Sequence, residues 1–295
     1  MKHLVDVSNF DRAEILKIIN DAKAFKKQLP PKLLENKLLF TLFFEPSTRT
    51  RSSFEVAAKR LGATVVHLDP AKSSAKKGES LEDTFANLCA MQPDGVIIRH
   101  SENSSAELLA NMHLTPVINA GTGNYAHPTQ ALLDLFTIIE HFNADIEGKR
   151  VSIVGDIANS RVASSDIRLF EKMGLDLTLV APPAFMPQTE HKNTQHLANV
   201  VDSSDVIISL RAQLERHKSP IFDDYSEYAK HYCITQEMIE GKDIAIMHPG
   251  PVMRNIDISD EVLASSQSLV MKQVTNGVFV RMAVLKHLLL DSNGN

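Results

Sequence analysis

At 295 residues the chain exceeds what one typical core supports, so two domains of roughly 150 residues each are expected. A hydrophobic share of 43% with 23% charged residues matches an ordinary globular protein, and the net charge of −5 argues against general nucleic-acid affinity. No apolar run reaches bilayer-spanning length, no signal-peptide core opens the chain, and Cys89 and Cys233 fit no metal or redox spacing. A cytoplasmic protein that binds neither membrane nor nucleic acid is therefore expected. Any anion site must come from a local concentration of cations.

The first predicted strand is the apolar run Leu38-Leu39-Phe40-Thr41-Leu42-Phe43-Phe44, which suits a strand buried on both faces. It runs into Glu45-Pro46-Ser47-Thr48-Arg49-Thr50-Arg51, where hydroxyls and guanidinium groups alternate. A helix follows, with Phe54, Ala57, Ala58 and Leu61 at helical spacing and Gly62 where it should stop. Ser47 or Thr48 can cap that helix, leaving its first N–H groups and positive dipole end to meet an anion above the strand.

Further strands are predicted at 63–68, 95–99 and 116–120, giving the first half four. The spacing of Leu132, Leu135, Phe136 and Ile139 after His127-Pro128-Thr129-Gln130 predicts a helix that joins the domains. The second half supplies four more strands, at 151–156, 177–181, 205–211 and 243–248. Residues 212–232 read as a polar lid or connector, and residues 278–290 as a buried helix. The fold class is α/β: two doubly wound parallel-sheet domains joined by interdomain helices.

In open parallel sheets, ligands bind beyond the carboxyl ends of the strands. The residues expected there are Ser47 to Arg51, the loop Lys72 to Gly78, Arg99 with His100, His127, Arg161, Arg211 with Gln213, and His248-Pro249-Gly250-Pro251. Five arginines on strand ends, with no compensating acidic pair in view, predict a positive cleft. A substrate set with a phosphate and carboxylates suits it, since guanidinium forks match both. There is no G-x-x-x-x-G-K-[ST], no G-x-G-x-x-G, no G-x-S-x-G elbow, and no metal-ligand spacing among the twelve histidines. The chemistry expected is positioning and electrostatics, with no metal and no cofactor.

These motifs, in this order and over essentially the full length, resemble the catalytic chains of the aspartate carbamoyltransferase family. The resemblance rests on Phe44 to Arg51, Lys76-Lys77-Gly78-Glu79-Ser80, His127 to Gln130, Gly155-Asp156 through Ser160-Arg161, Leu210-Arg211-Ala212-Gln213 and His248 to Pro251. It implies a carbamoyl phosphate-binding domain of residues 1–133 plus a C-terminal helix 277–292, and an aspartate-binding domain of residues 134–276. The implied reaction transfers the carbamoyl group of carbamoyl phosphate to L-aspartate in pyrimidine biosynthesis.

By that likeness Ser47, Thr48, Arg49 and Thr50 bind the phosphate, with Ser73 and Lys77 reaching in from a neighbouring subunit of a homotrimer; Lys77 is also implied at the aspartate. Arg99, His127 and Thr50 hold the carbamoyl oxygen and Gln130 its nitrogen, so Arg49, Thr50, Arg99 and His127 form the catalytic set. Arg161, Arg211 and Gln213 take the aspartate carboxylates, with the Gly250-Pro251 backbone near the amine. Glu45 is implied to pair with Arg161 and Arg216 on closure. The trimer stands alone, joins regulatory chains or joins another pyrimidine-pathway enzyme. Met253, Leu214 and Asn159 depart from the family pattern and bear on affinity and closure. The rival readings are a carbamoyltransferase for another amine such as ornithine, and a non-catalytic anion-binding relative.

Overall fold

The computed structural model describes residues 1–68, 78–214 and 222–290. Its strands are β1 Leu38–Phe43, β2 Thr64–Leu68, β3 Gly95–His100, β4 Val117–Thr122, β5 Arg150–Val154, β6 Asp176–Val180, β7 Lys192–Thr194, β8 Val206–Ser209 and β9 Ala245–Met247. The helices are α1 Arg12–Lys27, α2 Thr48–Arg60, α3 Leu81–Cys89, α4 Ser105–Asn111, α5 Pro128–His141, α6 Arg161–Met173, α7 Ala198–Val201, α8 Tyr225–Tyr232, α9 Gln236–Ile239, α10 Asp260–Ala264 and α11 Val270–Leu289. Among the described residues no helix is long and apolar enough to cross a membrane.

The chain divides into two compact units. The first is Met1–Leu133 with the chain from Thr275 onward, and the second is Asp134–Val274. The boundaries fall inside α5 and α11. In the first unit all strands are parallel, in the order β2-β1-β3-β4. Central β1 is buried from Leu39 onward, because layers on both faces remove it from water. Phe40, Leu42, Val96, Ile98 and Val117 of the sheet pack with Phe85 of α3 and Leu109 of α4. Behind β1, α2 buries Phe54, Ala57 and Ala58 and ends at Leu61. Gly62 then takes φ +89°, where a Cβ would lie 2.7 Å from Lys32 Cβ, so only glycine fits this exit. Edge strand β2 is different: it is largely exposed, with Val66 38% accessible.

The second unit is a parallel sheet in the order β7-β6-β5-β8-β9. It has five strands where the sequence predicts four. The addition, β7, is a three-residue edge strand, Lys-Asn-Thr, whose polar residues carry none of the apolar signal that marks a covered strand. At the end of the segment expected to be a polar lid or connector, α8 forms over Tyr225–Tyr232, and Tyr228 and Tyr232 are buried, with ring centroids 5.0 Å apart. Helix α6 is capped by the Ser160 hydroxyl, which accepts from Ala163 N–H at 3.2 Å, and stops at Gly174 in the left-handed region.

Candidate active site

Each sheet reverses its strand order once, and the ligand crevice of an open α/β sheet lies at that reversal. In the first unit the reversal separates β1 from β3, so the Glu45 to Arg51 corner and the Arg99-His100 end stand side by side. Ser47 occupies the N-cap position of α2 with an extended backbone. Its hydroxyl makes no capping bond, which corrects the expected role. The first N–H groups of α2 therefore keep their capacity for an external acceptor. Thr48 and Arg49 are exposed in the first turn, whereas Thr50 is buried.

Arg99 is held in place: Glu45 Oε2 lies 3.3 Å from its Nε, and its Nη1 donates to Ala120 O at 3.4 Å. One carboxylate thus offsets part of the positive charge expected at these strand ends, and Glu45 gains a partner other than the two arginines implied for it. Next to it, His100 Nδ1 accepts from Glu102 N–H at 3.0 Å and lies 2.8 Å from Ser105 Oγ. Burial draws the His100 pKa below its ordinary value, against the opposing pull of Glu102 and Glu45. Arg51 takes another direction, with Nη1 3.0 Å from His67 Nε2 on β2.

His127 and Gln130 arrive from β4. Buried Asn119 shapes that exit: its Oδ1 accepts from Gly121 N–H at 2.7 Å, and its Nδ2 donates to Val5 O and Thr122 Oγ1. Pro128 then opens α5, a position where its missing N–H costs nothing. His127 and Gln130 are both buried, and the His127 carbonyl accepts from Gln130 N–H at 2.9 Å.

In the second unit the reversal separates β5 from β8. Gly155 permits their close approach: at φ +121°, a Cβ would lie 2.8 Å from Leu210 O. Beyond β5, the fully buried Asp156 accepts from Asn159 Nδ2 at 3.1 Å, and Arg161 begins α6. Beyond β8, Gln213 Nε2 donates to Asn159 O at 3.4 Å, so Asn159 ties the two strand ends together. Arg161, Arg211 and Gln213 are all half-buried, and Gly250 and Pro251 follow β9, the next strand along. Ser73, Lys77 and Arg216 lie outside the described residues. Among the described residues no group of three His, Cys, Asp or Glu side chains is placed to hold a metal ion.

Asn119, bonded to Gly121 N–H and Val5 O, and Asp257, bonded to Ala212 N–H and Met253 N–H, stand out only in the folded chain. Both act by bonding backbone, a role that leaves no motif.

Two family models match the chain. One, the carbamoyl-P binding domain of aspartate/ornithine carbamoyltransferase, covers residues 2–140, and the other, the Asp/Orn binding domain, covers residues 147–288. The chain is 68% identical to the aspartate carbamoyltransferase catalytic subunit of Sulfurovum sp. (strain NBC37-1), across 99% of this chain and 100% of that relative. Its structure is similar to the catalytic subunit of M. jannaschii aspartate transcarbamoylase, with a TM-score of 0.90, 36% identity and 100% of each chain covered. It also resembles the Trypanosoma cruzi aspartate transcarbamoylase solved with carbamoyl phosphate and aspartate, at TM-score 0.87 and 31% identity, covering 96% of this chain and 95% of that one.

Proposed function

Since the chain belongs to the aspartate/ornithine carbamoyltransferase family, we propose that it transfers the carbamoyl group of carbamoyl phosphate to the amine of L-aspartate, releasing phosphate. The observation that carries the reading is the paired placement at the first unit's reversal point: the hydroxyl-rich N-terminal turn of α2 beside Arg99. Ser47, Thr48, Arg49 and Thr50 take the phosphate. Arg99, His127 and Thr50 face the carbamoyl oxygen, and Gln130 its nitrogen. In the second unit Arg161, Arg211 and Gln213 take the two carboxylates, with Gly250 and Pro251 beside the amine.

The reaction is attack of the neutral amine nitrogen on the carbonyl carbon. The C–O π electrons move onto oxygen, and the tetrahedral adduct collapses with loss of phosphate. Charge thus grows on the carbonyl oxygen, where Arg99, His127 and Thr50 donate. Arg99 is oriented before substrate arrives, by Glu45 and the Ala120 carbonyl, so little reorganisation is needed as charge develops. The departing phosphate is the proposed acceptor of the amine proton. A pH–rate profile governed by an enzyme carboxylate would count against that role.

The family models name both aspartate and ornithine, so membership leaves the acceptor to be argued from residues and relatives. Two arginines and a glutamine suit a dicarboxylate and repel a cationic amine side chain. The 68% identity to an aspartate enzyme supports the same choice. A cytoplasmic homotrimer with shared sites completes the proposal. It is supported by the exposed edge strand β2, which leads directly into the segment carrying Ser73 and Lys77, and by the free thiols of Cys89 and Cys233. Regulatory chains or another pyrimidine-pathway enzyme are candidate partners of that trimer. Phosphate release from carbamoyl phosphate, measured with aspartate or ornithine as sole acceptor, tests the function. Release with aspartate alone is expected, and release with ornithine alone overturns the assignment.

A further inference from the structure

Asp257 contacts none of the groups assigned above to substrate through a side chain of theirs, yet its carboxylate gathers two of the loops that carry them. Oδ1 accepts from Ala212 N–H at 3.3 Å, and Oδ2 accepts from Met253 N–H at 2.8 Å. Oδ2 also lies 3.2 Å from His248 Nε2. His248 Nδ1 accepts from Gly250 N–H at 2.7 Å, which leaves the ring hydrogen on Nε2, facing Asp257. Both side chains are completely buried. The Asp257 carbonyl is held as well, by Ile234 N–H at 3.1 Å and Ser209 Oγ at 3.4 Å.

A buried carboxylate is costly unless donors surround it, and three converge here. Ala212 lies between Arg211 and Gln213, and Gly250 precedes Pro251. One carboxylate therefore fixes the peptide between the two acceptor-side residues beyond β8 and, through one imidazole, the peptide beyond β9. We propose that Asp257 is a positioning residue for the acceptor substrate, setting the register of Arg211 and Gln213 against Gly250 and Pro251. This inference rests on the assignment of those four residues to aspartate. It requires a carboxylate specifically. An amide at this position turns its NH2 toward Ala212 N–H, or toward Met253 N–H and His248 Nε2–H, and must release at least one loop. A displacement of about 1 Å in the loops is enough to misplace the groups that receive the acceptor.

The test compares Asp257→Asn and Asp257→Glu with the parent in the full-length chain. For D257N the KM for aspartate at saturating carbamoyl phosphate rises roughly tenfold to a hundredfold, as for loss of a charge-assisted hydrogen bond. Its kcat changes far less, and the Kd for carbamoyl phosphate alone, measured calorimetrically, is unchanged. D257E keeps the charge and raises the aspartate KM by a smaller factor, with the same unchanged Kd. An unmoved aspartate KM in D257N, or equal losses in both substrates, overturns the proposal. Where D257N does not fold, D257E decides: an aspartate KM equal to the parent's contradicts the role. The parent is assayed first. A parent that makes no carbamoyl aspartate counts against the proposed function and the acceptor role together, whereas a working parent with an unmoved KM in the variants counts against Asp257 alone.

Discussion

Arg49 and Arg211 carry like charge in different units and should fail differently when removed. Arg49 stands in the first turn of α2, so Arg49→Ala is expected to raise the KM for carbamoyl phosphate. Arg211 follows β8, so Arg211→Ala is expected to raise the KM for aspartate. Each loses a charge-assisted contact of about 1.5–3 kcal/mol. Steady-state kinetics with each substrate varied in turn separates the two, and indistinguishable defects contradict the division of roles. Arg99 belongs to a third class. In the proposed reaction it faces charge that exists only in the transition state, so Arg99→Ala should lower kcat by about a hundredfold to a thousandfold, beyond any change in KM. A variant with normal kcat would remove Arg99 from the catalytic set.

At the scale of elements, two carboxylates show opposite linkage to pH. Asp205 precedes β8 and accepts from the Arg150 backbone at 2.8 Å and from its guanidinium at 3.1 and 2.9 Å, tying β8 to the start of β5. The Arg150 side chain holds the Asp205 pKa below its ordinary value. Its stabilisation is therefore full above the unfolded pKa of about 3.9 and is lost as pH falls through the lower folded value. Asp205→Asn should lower the urea midpoint at pH 7, with the difference from the parent vanishing in acid. A constant difference at every pH contradicts the linkage.

Asp166 of α6 is the reverse case. Its carboxylate oxygens are buried and have no hydrogen-bond partner among the described residues. Burial, reinforced by Asp134 of α5, pushes its pKa well above the ordinary range. The unfolded chain gives up this proton near pH 4 while the folded chain retains it, so stability falls as pH rises through that range. Asp166→Asn should then raise the urea midpoint at pH 7 and converge on the parent toward pH 4. A lower midpoint at pH 7 contradicts this account.

Elements whose side chains face a core were legible in the sequence. The run from Leu38 to Phe43 read as a covered strand, and the spacing of Phe54, Ala57, Ala58 and Leu61 marked α2 together with its stop at Gly62. Strand β7 was not legible, because an edge strand of Lys, Asn and Thr is held by backbone pairing with β6 alone. The same limit applies within the candidate site. The hydroxyls and guanidiniums at the strand ends were visible as residue types. The pairing of Glu45 with Arg99, and the hold of Asp257 on Ala212 and His248, depend on side chains meeting after the chain has folded.

For the whole molecule, the proposal places Lys77 of one subunit and His127 of its neighbour in the same site. Lys77→Ala and His127→Ala homo-oligomers should each be nearly inactive. Mixing them under conditions that exchange subunits should restore part of the activity, because some sites then draw both wild-type residues. No recovery, with exchange verified by mass, contradicts sharing. Behind this stands the central claim of carbamoyl transfer to aspartate, which a competition measures most directly. Carbamoyl phosphate labelled with ¹³C at the carbonyl is supplied with equimolar aspartate and ornithine, and products are followed by NMR. The account predicts that label passes to N-carbamoyl aspartate and that carbamoylated ornithine does not form above the uncatalysed rate. Label accumulating on ornithine, or decay of carbamoyl phosphate no faster than without protein, would contradict it.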